Sequence, residues 1–103
     1  NNKMKVKFRF DIGVPVSMNT LNWSKEDKDE YLELNTSINY KIESTIVDIP
    51  CVPTKEMLID LLTFEKEFNL TENEIEFISL NVGGNYSIYQ IVITPTYLEL
   101  ILE

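Results

Sequence analysis

Apolar and polar residues alternate strictly at the start of the chain. Met4, Val6, Phe8, Phe10 and Ile12 take one parity, and Lys5, Lys7, Arg9 and Asp11 take the other. This is the period of a half-buried strand. Gly13 and Pro15 break it. Residues 16–30 carry no single period. Ser24 with Asp27 three positions later fits a variant capping box opening a short helix, and an irregular acidic loop is the other reading. A longer alternation follows, with Leu32, Leu34, Thr36, Ile38, Tyr40 and Ile42 on one side and Glu33, Asn35, Ser37, Asn39, Lys41 and Glu43 on the other. It predicts a strand with one wet face. The phase slips at Ser44 and Thr45, then Ile46, Val47 and Ile49 resume it, which suggests a bulge or a second strand.

Pro50 and Pro53 stop that run. Thr54 then fits the N-cap of a helix over about 55–68, with Met57, Leu58, Leu61, Leu62, Phe64 and Phe68 on one arc. Thr71 and Glu74 fit a second capping box, read here as a turn or single helical turn leading into a strand over about 75–82. Gly83-Gly84-Asn85 reads as a tight turn into a returning strand, Tyr86 to Thr94, ended by Pro95. These elements predict an α+β two-layer sandwich: a mainly antiparallel sheet, one principal helix at about 55–68 and a C-terminal β-hairpin at about 75–94.

The chain has 103 residues, the size of one domain, 1–103. Residues 1–3 and 102–103 read as additions outside the natural chain. The net charge of −8 is uneven: Lys3, Lys5, Lys7 and Arg9 open the chain, and no Lys or Arg follows Lys66. This balance disfavours direct nucleic-acid binding. Lys5, Lys7 and Arg9 share one strand face, and ion pairing with Glu33 and Glu43 of a neighbouring strand is favoured over a phosphate site. Glu26, Asp27, Asp29 and Glu30 form a candidate acidic patch. They lack the EF-hand spacing, so a solvated surface is preferred to a calcium site.

Catalytic signals are few. With one cysteine, Cys51, and no histidine, there is no Cys–His or Ser–His pair, no disulfide and no zinc set. Cys51 is expected to be a buried structural residue. No enzymatic activity, metal or cofactor is expected. No run of about 18 apolar residues is present, so membrane insertion is not expected either. The chain is placed in the cytoplasm, with a mature exported domain whose leader has been removed left open.

The stretch from Phe77 to Leu98 contains no charged residue. As a hairpin it is apolar on both faces, with Ile88 and Val92 on one and Tyr89, Ile91 and Ile93 on the other. It is read either as a covered central strand or as an edge that pairs with a second chain. The functional expectation is a non-enzymatic protein–protein interaction domain. Its candidate contact residues are Tyr86, Tyr89 and Tyr97, with Trp23 from the loop, because these side chains give large contact area with few rotors. Two alternatives are an acidic inhibitor or nucleic-acid mimic, of the phage counter-defence or immunity type, that blocks a basic partner, and a structural subunit of a homo-oligomer.

Overall fold

The computed structural model describes residues 3–10, 22–81, 83 and 85–103. The expectations attached to Asp11, Ile12, Gly13, Pro15, Val82 and Gly84 fall outside these residues. In chain order the elements are β1 Met4–Arg9, α1 Lys25–Glu43, β2 Val47–Ile49, β3 Leu58–Asp60, a 3-10 turn Leu61–Phe64, α2 Glu72–Asn81, β4 Asn85–Ile93 and β5 Leu98–Leu102. The strands form one sheet in the order β2-β1-β5-β4-β3. Among the described residues only the central β1–β5 pair is parallel, with Val6 beside Leu98 and Phe8 beside Leu100. The expected α+β class and mainly antiparallel sheet are what the chain adopts. Leu102, read from sequence as an addition, pairs with Ile88 in the ladder.

The β1 alternation sets the two layers. Val6 and Phe8 are buried, and with Phe10 they face the helices. The Phe8 ring packs on Phe64 and Phe68 at 5.5 and 6.1 Å, and Phe10 meets Tyr86 edge-on at 4.5 Å. Leu100, Ile88, Val47, Ile49 and Ile59 extend the same face across the other strands. The opposite face carries Lys5, Lys7 and Arg9. Each has a partner there: Lys5 reaches Asp48 at 3.5 Å, Arg9 Nε reaches Glu99 at 2.9 Å, and Lys7 sits 4.9 Å over the Tyr97 ring. Ion pairing is thus observed, but with the strand neighbours Asp48 and Glu99 rather than Glu33 and Glu43. Exposed pairs of this kind contribute about 0–1 kcal/mol each.

Three elements differ from the sequence reading. The 32–43 segment is helix, not strand. Ser24 caps α1 by accepting the Asp27 N–H at 3.1 Å, Glu26 and Asp27 sit at its positive end, and Lys41 lies in its last turn. The buried positions Tyr31, Asn35, Ile38 and Ile42 follow a helical period, while Tyr40 is 72% exposed. Ile38 and Ile42 lie four apart, a spacing that satisfies a period of 2 as well as one of 3.6. The alternation was therefore ambiguous, and the cap decides it.

The helix expected at 55–68 is replaced by β3 and the 3-10 turn. Glu56 N–H donates to the Ile88 carbonyl and Ile88 N–H to Met57, so β4 draws this segment into the sheet. Glu56 adopts φ 72°, which no helix interior allows. Leu58, assigned to the apolar arc, is 72% exposed. Asp60 then caps the 3-10 turn by accepting the Leu62 N–H. Leu61 and Phe68 do reach the core as the arc implied.

The segment read as a strand at 75–82 belongs to α2. Thr71 and Glu74 close a full capping box: Glu74 N–H donates to Thr71 Oγ1 at 3.2 Å, and Thr71 N–H donates to Glu74 Oε1 at 2.8 Å. Gly83, at φ 71°, returns its N–H to the Ile78 carbonyl at 2.8 Å. It ends a helix by a Schellman-type bond rather than turning a hairpin. The C-terminal antiparallel pair is instead β4 with β5, joined at 94–97.

Candidate functional site

The two edges of the sheet differ. β2 is three residues long, carries Asp48 at its centre and is followed by Pro50 and Pro53. Short length, charge and proline all discourage a further strand. β4 is nine residues long, and β3 covers only its first part, through Asn85, Tyr86 and Ser87. The Glu56–Ile88–Met57 bonds extend that cover by one residue. Glu56, in its left-handed conformation, then turns the chain off the edge. Among the described residues, no strand lies beside 89–93 on that side.

The ladder fixes which backbone groups point outward. Ser87 and Glu103 exchange both their N–H and C=O, and Thr94 N–H donates to Tyr97 O at 3.0 Å. The register slips by one between Ile88 and Gln90, making Tyr89 a bulge. Counting back from Thr94, the antiparallel alternation turns Val92 and Gln90 toward β5 and turns Ile91 and Ile93 outward. The N–H and C=O of Ile91 and Ile93 therefore line the open edge. Tyr89, Val92 and Ile93 are exposed there, Ile93 at 82%. The bulge also rephases the side chains. Ile91 and Ile93 share the helix side with Ile88, and Val92 faces the other side, opposite Glu99. Sequence alternation alone placed Val92 with Ile88, because it lacked the bulge.

The four candidate aromatics do not form one patch. Trp23 is half-buried and meets Tyr31 edge-on at 5.8 Å. Tyr86 is half-buried against Phe10, and Tyr97 lies under Lys7 beside the β4–β5 turn. Tyr89 alone lies at the open edge. The acidic patch is ordered: Glu26, Asp27, Asp29 and Glu30 are exposed on the first turns of α1. Asp27 and Glu30 rim an open hollow of about 370 Å³ lined also by Trp23, Tyr31, Leu34 and Phe77.

Among the described residues, Glu74 is the buried carboxylate, 3% exposed. It binds Lys41 Nζ at 2.5 Å, accepts from Ser37 Oγ at 2.7 Å and accepts from the Thr71 N–H. Burial pushes its pKa up, but Lys41, the Thr71 N–H and the Ser37 hydroxyl outweigh burial and hold it below the ordinary value. Lys41 also donates to Asn69 O at 3.2 Å. With both carboxylate oxygens engaged, the cluster clamps α1 to α2. Cys51 is exposed, not buried as expected, because it sits in the proline-bounded segment after β2 rather than in the core. Among the described residues, no group of three or more potential ligands is placed to hold a metal, and no helix is long and apolar enough to cross a membrane.

No family model, curated protein or solved structure matches this chain. A functional reading therefore rests on the residues themselves.

Proposed function

We propose that the chain is a non-enzymatic protein–protein interaction domain that docks an extended segment of a second chain onto the open edge of β4. One observation carries this: the edge from Tyr89 to Ile93 has outward backbone donors and acceptors, exposed apolar side chains and no charge. A strand left in that condition pairs with whatever extended chain fits it. The guarded β2 edge on the same sheet shows that this sequence does carry the usual protections elsewhere. A cytoplasmic setting suits the exposed thiol of Cys51.

The acidic-inhibitor reading has one observation of its own, the ordered carboxylates of α1 around the Trp23 hollow. A single selection separates the two. A displayed library of random peptides is panned on the wild-type protein and then on Ile93→Pro, which removes one outward N–H. Apolar, extended sequences that bind wild type and lose Ile93→Pro are expected. Peptides rich in Lys and Arg that bind both proteins equally and release with salt would overturn the edge reading in favour of the α1 surface.

A further inference from the structure

We infer that the segment docked on β4 is β4 of a second copy, giving a two-fold dimer with a continuous sheet; this rests on the edge reading above. Three features of the strand fit a copy of itself.

The first is charge. Each chain carries −8, yet nothing from Phe77 to Leu98 is charged. Two copies can meet along β4 without setting like charges opposite one another in the ladder. At physiological salt the remaining charges are screened over about 8 Å.

The second is register. The outward residues, Ile91 and Ile93, are two apart. A two-fold axis at Val92 sets Ile91 of one copy opposite Ile93 of the other, twice over. Both resulting pairs are hydrogen-bonded pairs, so all four outward N–H groups and carbonyls per dimer find partners across the axis. The two Val92 side chains face each other on the outer side of the sheet.

The third is closure. In this register Tyr89 of one copy lies opposite Pro95 of the other. Tyr89 is the bulged residue and Pro95 has no N–H. The ladder therefore stops at both ends together. The β2 edge is guarded, and β3 is only three residues long and ends in Asp60, so assembly ends at two copies rather than continuing as a fibre.

The test is sedimentation equilibrium of the whole chain over a dilution series reaching about 1 mM, at about 50 mM and about 500 mM salt. The expected result is a 12.0 kDa species shifting to twice that mass as concentration rises. Salt should tighten the dimer, because it screens repulsion between two acidic bodies. Ile93→Pro, on a strand edge and with its N–H outward, should weaken it about tenfold or more. Val92→Lys, which puts two ammonium groups at the axis, should weaken it comparably. Circular dichroism of both variants checks that the fold is retained. A monomer at every concentration would overturn the self-pairing while leaving the peptide selection to judge the edge itself. A dimer indifferent to both variants, or one that salt dissolves, would place the contact elsewhere and overturn it too.

Discussion

Replacing Lys41 by Met should lower the stability of the fold by about 3 kcal/mol or more at neutral pH, because it leaves the buried Glu74 carboxylate without its cation. Against a total of roughly 5–15 kcal/mol for a domain, this is a large share. Glu74 would keep the Thr71 N–H and the Ser37 hydroxyl, but neither brings a charge. Glu74→Gln should cost less, about 1 kcal/mol, since it removes the charge with the partner and Lys41 can turn to water. The pH response gives the sign. In the wild type the Glu74 pKa is depressed. Its contribution is therefore complete above the ordinary value and is lost as pH falls through the lower folded one. In Lys41→Met, burial is opposed only by the Thr71 N–H and the Ser37 hydroxyl, so that pKa rises from its wild-type position. The deficit should then shrink as acid protonates Glu74. Urea titrations at pH 7 and pH 4 measure both effects. A loss within about 0.5 kcal/mol, as for an ordinary surface change, would show that the clamp does not hold the helices together.

The second large effect is a contrast between adjacent residues. Val92→Pro should destabilise the protein by about 2 kcal/mol or more, because its N–H faces β5 and the proline would leave a ladder acceptor unpaired. Ile93→Pro should cost well under 1 kcal/mol, since its N–H faces the open edge and its side chain is exposed. The bulge at Tyr89 creates this contrast. Equal losses at both positions, or the reverse order, would mean that the alternation from Thr94 is misplaced.

How much of this was legible in the sequence varies by element. β1 was legible because one face is charged and the other apolar, and only a strand satisfies that over six residues. The uncharged stretch around β4 was legible as something in need of a partner. Its free edge was not, because nothing local shows that β3 is only three residues long, or that Glu56 turns the chain away. The α1 misreading has a definite physical source: apolar residues four apart fit both periods. The deciding signals were Ser24 with Asp27, and the absence of Gly and Pro through the whole segment. At α2 the capping box was recognised, but the segment after it was read as the first strand of a hairpin turned at Gly83-Gly84-Asn85. Tertiary burial of Phe77 and Ile78 overrode that reading. At 55–68 the helical arc was real in pattern, and pairing with β4 overrode it. The Lys41–Glu74 clamp was invisible because it joins two helices whose segments, 32–43 and 75–82, both read as strands.

Residue-resolved amide hydrogen exchange by NMR reads the open edge of β4 at Ile91 and Ile93 without any substitution. In dilute protein, fast exchange is expected at Ile91 and Ile93, and slow exchange at Gln90 and Val92, whose N–H groups face β5. Protection of Ile91 and Ile93 in the dilute monomer would mean that the chain already covers this edge and that β4 has no free edge to offer.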